Sequence, residues 1–135
     1  MATLALGLLS AISLIVSSIM IGIVLYVSVI ERTKEIGILK AIGANNIDIR
    51  RIFVTEGFSI GIIGGIIGAI GSFLAGITLN IIVKNAMNVS FDLFQFNLIE
   101  TILIIGFSAF IGILASFIPA FKASRQNALD ALRYE

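Results

Sequence analysis

The side chains that most often carry chemistry are missing from this sequence. None of its 135 residues is histidine or cysteine, which excludes a serine–histidine triad, disulfides and thiolate metal sites. The sequence contains neither a GxxxxGK[ST] phosphate loop nor an HExxH zinc motif. We therefore expect a protein that is not itself an enzyme, with no catalytic residue, no metal site and no directly bound cofactor.

Charged residues do occur, and most of them lie in residues 31–56, which read ERTKEIGILKAIGANNIDIRRIFVTE. Glu31 and Lys34 are three residues apart, as are Arg32 and Glu35. Pairs of opposite charge at that spacing stabilise an exposed helix by about 0.2–0.5 kcal/mol each. One interpretation of the segment is therefore a solvated helix with its own ion pairs.

The same segment is too apolar for a loop that only water surrounds. It contains four large aliphatic residues within one helical stretch, namely Ile36, Ile38, Leu39 and Ile42. At helical spacing Ile38 falls away from the other three, so a single stripe does not hold all four. We therefore favour a second interpretation, in which two surfaces are covered, one by the membrane and one by a cytoplasmic partner.

Turn signals divide the segment into a short helical hairpin. Residues 31–42 have a helical composition apart from Gly37, and Gly43 follows them where a helix often ends in a left-handed conformation. Asn45 or Asn46 can then cap a second helix, which leads into the next apolar run.

Glycines recur at four-residue spacing in the apolar run that follows. The residues expected to pack against another helix are Gly57, Gly61, Gly64, Gly65 and Gly68. Small residues at this spacing let another helix backbone approach closely, and van der Waals packing then drives association in a membrane. A weaker version of the pattern recurs later, at Ser108, Gly112 and Ser116. The pattern predicts helix packing, which does not by itself identify a function.

Membrane-spanning helices must position these residues. Hydrophobic residues make up 59% of the chain and charged ones 13%, whereas soluble domains are about 45–50% apolar and about 25% charged. Three apolar runs, at 4–30, 57–83 and 98–119, each reach the roughly 20 residues that a spanning helix needs. The predicted fold is all-α, an integral membrane protein of three transmembrane helices with the hairpin between the first two.

The positions of the basic residues predict the orientation of the chain. Eight of the nine Lys and Arg residues lie in the loop 31–56 or the tail 120–135, and only Lys84 lies in the loop 84–97. Because cytoplasmic loops carry an excess of basic residues, we expect the loop 31–56 and the C-terminus in the cytoplasm, and the N-terminus of this segment outside. The expected location is the plasma or inner membrane, with the lipid bilayer as a partner. A net charge of +1 indicates no nucleic-acid partner.

Local signals refine the ends of the third run. Pro119 is expected to end or kink this span, because its ring removes an amide donor and clashes with the preceding turn. Beyond it, Leu129 and Leu132 suggest a short amphipathic helix. The aromatic residues expected at headgroup level in the outer loop are Phe91, Phe94 and Phe96.

Two motifs together resemble those of a known family. ERTKEIGILKAIGA, at residues 31–44, directly follows a span, and PAFKASRQNALDALRYE, at residues 119–135, ends the sequence. Both resemble the C-terminal permease domain of the FtsX/MacB superfamily of ABC transporters, and the similarity covers about residues 10–135. Glu56 before the second span and the GGxxG segment beginning at Gly64 also agree.

The resemblance implies a longer architecture. Family permeases have four membrane helices, with a large extracytoplasmic domain between the first and the second, so the three spans here would be the second, third and fourth. The chain is then expected to be a fragment that lacks the first helix and the outer domain. A separate or fused ATPase would use the ATP, and a second permease would form a homo- or heterodimer with this one. The sequence departs from the family pattern at Phe121, where arginine is common, and at Asn127, where proline is common.

The resemblance also implies a role for the hairpin. In such permeases this loop docks on the ATPase, and ATP-driven closure of the ATPase is transmitted across the membrane, a process called mechanotransmission. The work done outside is export or extraction of a lipid, peptide or drug, or regulation of cell-wall enzymes. Carried over to this sequence, the expected coupling residues are Glu31, Arg32, Thr33, Lys34, Glu35, Ile36, Gly37, Lys40 and Gly43.

Two other functions fit part of the pattern. A small three-span pore-forming protein of the holin type would account for the glycine-rich faces, but not for the length and apolar character of the loop 31–56. A passive membrane anchor is the third reading.

Overall fold

The chain is a bundle of long helices. The structure, a computed structural model, describes residues 1–87 and 94–126. Its helices are α1 (Ala2–Glu31), α2 (Thr33–Ala41), α3 (Asn46–Met87) and α4 (Leu98–Ser124). Three of them, α1, α3 and α4, are long and apolar enough to cross a membrane. The described residues therefore confirm the all-α fold and the three predicted spans.

Lipid must cover most of the surface of these three helices. Only 6% of the most apolar stretch of α1, 6% of that of α3 and 17% of that of α4 is buried inside the chain. A helix that is apolar on all sides needs an apolar surrounding, and in hydrocarbon its backbone groups are satisfied only within the helix itself. The long uninterrupted helices follow from that requirement.

The second helix of the predicted hairpin and the second span form one continuous helix. With 42 residues, α3 is roughly 63 Å long at about 1.5 Å per residue, about twice the thickness of the hydrocarbon layer. Part of α3 therefore projects beyond the membrane. The end of the bundle that carries α2 is called the loop end below, and the opposite end, which carries residues 94–97, is called the far end.

Pro119 lies inside α4, which continues to Ser124. Of the two expectations for Pro119, an end or a kink, the structure therefore excludes an end of the helix at this residue. The proline removes the amide that would bond to the carbonyl of Ala115, four residues earlier. That carbonyl faces α1, where a Cβ added to Gly22 would lie 3.4 Å from the Ala115 oxygen. Membrane helices tolerate proline where a neighbouring helix covers the freed backbone group.

The closest packing in the bundle is between α3 and α4. A Cβ added to Gly57 would lie 2.6 Å from the Gly112 carbonyl oxygen, and one added to Gly61 would lie 2.6 Å from the Ser108 oxygen. The Ser108 hydroxyl donates a hydrogen bond of 2.8 Å to the Gly61 carbonyl. Backbone-to-backbone contact of this kind requires small residues such as glycine, and it brings α3 and α4 together at this level.

All four helices contribute to one buried cluster at the loop end. Its members are Val29 of α1, Ile36 of α2, Ile49 and Phe53 of α3, and Ala120 and Ala123 of α4. A cluster that draws on every element fixes the loop end as one packed body, since each side chain loses contacts if any helix shifts.

The far end is held by the segment that precedes α4. The side-chain amide of Asn80 donates to the Phe94 carbonyl and its oxygen accepts from the Phe94 amide, each at 3.0 Å. The Phe96 ring meets Phe73 edge-on at a centroid distance of 5.0 Å. Asn97 then caps α4 by accepting a hydrogen bond from the Ile99 amide. The predictions for Phe91, Leu129 and Leu132 lie outside the described residues.

Candidate functional site

The start of α2 is fixed by its junction with α1. Arg32 ends α1 and begins α2, with φ −95° and ψ 15°. The Thr33 hydroxyl donates to the carbonyls of Val29 and Ile30, at 3.1 and 2.8 Å. These bonds satisfy carbonyls at the end of α1 that have no helical partner of their own. The orientation of α2 is therefore set directly from the first span.

The end of α2 is a Schellman turn at Gly43. The Gly43 amide donates to the Lys40 carbonyl at 3.1 Å, and the Ala44 amide donates to the Leu39 carbonyl at 2.9 Å. Gly43 has φ +105°, a conformation that side chains strongly disfavour. The prediction that Gly43 ends the helix in a positive-φ conformation is confirmed.

The turn passes directly into α3. Asn45 lies immediately before α3, which starts at Asn46. The Asn45 amide donates to the Asp48 carboxylate at 3.0 Å, which is the returning half of a capping box. Of the two caps proposed from the sequence, Asn45 therefore occupies the position before the helix. Two short turns thus define both ends of the hairpin.

The inner face of α2 is packed against its own chain. Ile36 is 3% exposed and belongs to the cluster at the loop end. Gly37 is also buried, while Thr33 and Lys40 are half-buried. Four of the expected coupling residues therefore face the bundle, and the structure shows them positioning α2.

The Lys40 ammonium reaches the end of α4. It donates to the Ser124 carbonyl at 2.7 Å and to the Gln126 carbonyl at 2.6 Å. These contacts join residues 84 and 86 positions apart in the chain. No local sequence pattern could have predicted these contacts, because both acceptors are backbone carbonyls, which every residue type carries.

The outer face of α2 combines exposed charge with exposed aliphatic surface. Glu31, Arg32, Lys34 and Glu35 are all exposed. Three aliphatic residues accompany them, with exposed fractions of 48% for Ile38, 36% for Leu39 and 78% for Ile42. The exposed side of α2 thus carries both charged and aliphatic side chains.

The structure divides the four aliphatic residues differently from the sequence-based grouping. Ile36 alone points inward, whereas Ile38, Leu39 and Ile42 share the exposed side. The grouping that separated Ile38 from the other three was wrong, because the buried face of α2 runs through Thr33, Ile36, Gly37 and Lys40. The buried side of α2 packs against the cluster that α1, α3 and α4 form at the loop end.

The predicted packing glycines fall into two groups. Gly57, Gly61 and Gly65 are buried against α4. A Cβ added to Gly64 or Gly68 would meet no atom within 4 Å. These two line an open cleft of about 460 Å³ between the far halves of α3 and α4. Within the described residues, only the first group therefore packs helix against helix.

Phe121 was not expected to take part in the loop end, yet it lies between two guanidinium groups. The Arg50 guanidinium carbon is 5.0 Å from the centre of the ring, and that of Arg125 is 4.2 Å from it. Cations over an aromatic face are attracted by about 0.5–2 kcal/mol, depending on solvent exposure. At this departure from the family pattern, the ring joins α3 to the end of α4.

The described residues contain no group of three or more His, Cys, Asp or Glu side chains that could hold a metal ion. The loop end is defined by packing and electrostatic contacts. It consists of an anchored short helix, a buried apolar cluster, and basic side chains that bind backbone carbonyls and an aromatic ring.

Comparisons with known proteins agree on one assignment. The model of the FtsX-like permease C-terminal family matches residues 7–128. The macrolide export ATP-binding/permease protein MacB of Bdellovibrio bacteriovorus is 38% identical over 133 residues, which are 98% of this chain and 19% of that protein. A probable syringafactin export ATP-binding/permease protein of Pseudomonas syringae pv. syringae is 40% identical over 129 residues, 96% of this chain and 19% of the relative.

A shorter relative gives the same result. An uncharacterised ABC transporter permease of Methanocaldococcus jannaschii is 36% identical over 127 residues, which are 93% of this chain and 31% of that protein. The chain thus spans 19% to 31% of the length of these relatives.

Proposed function

The chain belongs to the FtsX-like permease C-terminal family of ABC transporter permeases, and we propose that it carries the movement of a cytoplasmic ATPase across the membrane. In this proposal α2 is the coupling helix, its outer face binds the ATPase, and the three long helices transmit the displacement. ATP is bound and hydrolysed by the ATPase and not by this chain. The transmitted work is the export or extraction of a lipid, peptide or drug, or the regulation of cell-wall enzymes.

The observation that carries the proposal is the two-sided character of α2. Its inner face is fixed to the bundle through Ile36, while Ile38, Leu39 and Ile42 are exposed on the other side. A helix built in this way can receive a force on one face and pass it on through the other. The names of the relatives support an ATPase as the source of force, since two of them are ATP-binding/permease proteins.

The positions of the basic residues support the membrane orientation that this proposal requires. Arg50, Lys122 and Arg125 all lie at the loop end with Lys40, as their contacts with Phe121 and Tyr26 show. A concentration of basic residues at one end of a membrane bundle favours the cytoplasm for that end. The loop end would then face the ATPase, and the far end would face the extracytoplasmic side.

The packing of the long helices suggests how displacement travels. Because α3 and α4 touch backbone to backbone at Gly57 and Gly61, neither can tilt at that level without the other. The cluster at the loop end joins them to α1 and α2. A push on α2 would therefore move the loop-end halves of the spans together, as packed interfaces shift between discrete arrangements and do not deform continuously.

The holin-like alternative is not retained. Family membership supplies an ATP-dependent permease as the context, and no contact among the described residues favours a pore. The proposal also includes a second permease that forms a dimer with this one, as the family resemblance implies.

The proposal is tested by binding of the ATPase to the outer face of α2. The full-length permease is reconstituted in phospholipid nanodiscs, and the purified ATPase subunit or domain is titrated in the presence of a non-hydrolysable ATP analogue. The variant Ile38→Asp/Ile42→Asp should weaken binding at least tenfold, because it places two charges in an apolar contact. The charge-reversed variant Lys34→Glu/Glu35→Lys should weaken it as well.

The matched control is Asn46→Asp. It adds a negative charge to the same hairpin at the first turn of α3, where helices accept acidic residues. Binding should stay within twofold of the unmodified permease. If both the double variant and the charge reversal bind as well as the control, α2 is not the coupling helix.

A further inference from the structure

Lys40 makes a polar contact from α2 to the end of α4. Its ammonium donates to the Ser124 and Gln126 carbonyls at 2.7 and 2.6 Å. Ser124 is fully buried and is the last residue of α4. The contact therefore joins the last turn of α2 to the point at which the third long helix ends.

The chemistry of a helix end accounts for the contact. The last carbonyls of a helix have no amide partner within it, and the aligned peptide dipoles leave a partial negative charge there. A lysine ammonium donates hydrogen bonds to these carbonyls, and its positive charge is attracted to the partial negative charge of the helix end. A hydrogen bond with one charged partner is roughly twice as strong as a neutral one. Half-burial of the Lys40 side chain also reduces the screening of this attraction by water.

Apolar contacts surround the polar one. Ala120 and Ala123 of α4 belong to the same cluster as Ile36 of α2. The ring of Phe121, also in α4, contacts the Arg50 guanidinium of α3. The loop end of α4 is thus held to α2 by Lys40 and to α3 by an aromatic ring.

We propose that Lys40 is a positioning residue that fastens the coupling helix to the end of α4, so that α4 moves with α2, as does α1, which is joined to α2 at Arg32. In this arrangement α3 moves with α4 because the two helices are in contact at their glycines. It is also linked covalently to α2 through the Gly43 turn. The transmission part of this inference rests on the proposed function, whereas the fastening itself does not.

The fastening is tested without the ATPase by distance measurement between spin labels. Labels are placed at Ala41→Cys in α2 and Ile118→Cys in α4, both exposed positions outside the proposed contact. The full-length permease in nanodiscs should give one narrow distance distribution. Lys40→Met, which keeps the aliphatic stem and loses the ammonium, should broaden or shift it, and Lys40→Arg should restore it.

A matched control separates this effect from general charge loss. Arg51→Gln removes a positive charge from an exposed position of α3 near the same hairpin, and it should leave the distribution unchanged. If Lys40→Met also leaves the distribution unchanged, the fastening is overturned whatever the ATPase does.

Transmission is tested by trapping the complex with ATP and vanadate. A bimane fluorophore at Ile104→Cys, on the exposed surface of α4 towards the far end, reports movement of that helix. The spectral shift caused by trapping should fall at least threefold in Lys40→Met, while the amounts of bound ATPase and trapped nucleotide remain unchanged. A full shift in that variant would overturn the transmission role.

The two proposals fail in different ways. Absence of ATPase binding to the unmodified permease would contradict the proposed function and the transmission that rests on it, but not the fastening of α2 to α4. Normal binding and trapping with an undiminished signal in Lys40→Met would contradict the Lys40 inference alone. The rescue by Lys40→Arg distinguishes a positioning role from a merely misfolded variant.

Discussion

Ile36 is the residue on which the position of α2 most depends. It is the only member of α2 in the buried cluster, where it is 3% exposed. Ile38, two positions away on the same helix, is 48% exposed. The two isoleucines therefore have the same chemistry and opposite environments, which makes them a matched pair.

The first prediction concerns the stability of the loop end. Ile36→Ala should lower the free energy of unfolding by about 2–5 kcal/mol, because it removes buried methyl groups and leaves a cavity. Ile38→Ala should change it by less than about 0.5 kcal/mol, as exposed substitutions do. Reversible unfolding of the permease in mixed micelles measures both. Equal effects of the two variants would contradict the burial of Ile36.

At the scale of elements, the α3–α4 contact is the closest in the molecule. Gly57 and Gly61 touch the backbone of α4 directly, whereas Gly64 lies one helical turn further on with open space beside it. The glycines thus form two rows, of which Gly57, Gly61 and Gly65 contact α4, whereas Gly64 and Gly68 border open space. The two helices separate beyond Gly65 to form the cleft at the far end.

The second prediction uses this difference. Gly61→Ala should force α4 away, since the new Cβ would lie 2.6 Å from the Ser108 oxygen and 2.7 Å from the Ala109 Cα. The hydrogen bond from Ser108 to the Gly61 carbonyl should lengthen as well. Gly64→Ala should be neutral or stabilising by up to about 1 kcal/mol, because alanine favours the helix and meets nothing.

Crosslinking between α3 and α4 measures the outcome. An introduced pair of cysteines at Ile60 and Ile113, both half-buried, should crosslink less efficiently in Gly61→Ala than in Gly64→Ala. Gly61→Ala should also have a lower thermal stability than Gly64→Ala. A Gly61→Ala protein as stable as Gly64→Ala would contradict the close backbone contact.

At the scale of the whole molecule, the bundle is asymmetric along its long axis. The loop end carries the four-helix cluster and the basic residues Lys40, Arg50, Lys122 and Arg125. The far end carries amide contacts and aromatic rings around Asn80 and Phe94. This difference gives the molecule a direction in the membrane, with the loop end proposed as cytoplasmic.

The third prediction tests that direction. A cysteine at Gln95, exposed at the far end, should react with a membrane-impermeant maleimide added to intact cells. A cysteine at Lys34, exposed on α2, should react only after the membrane is permeabilised. Since this sequence contains no cysteine, remaining cysteines of the full-length protein are replaced first. The reverse pattern of labelling would invert the proposed orientation.

The sequence by itself determined the helical class, the number of spans and the end of α2 at Gly43. Lipid leaves a spanning segment no alternative to internal backbone hydrogen bonds, so long apolar runs are sufficient to predict helices. The end of α2 could be predicted at Gly43 because glycine is the residue type that most readily adopts a positive φ. Family membership was readable from the motifs at residues 31–44 and 119–135.

The tertiary structure decided which residues of these motifs face inward. Within the described residues Gly57, Gly61 and Gly65 contact α4 while Gly64 and Gly68 do not, although both rows have the same four-residue spacing. The site where two helices touch depends on how they cross, and sequence spacing alone does not fix a crossing. In the same way Lys40 reads as a surface charge of a loop, yet it binds the end of a helix 84 residues away, because folding brings an orphan carbonyl within its reach.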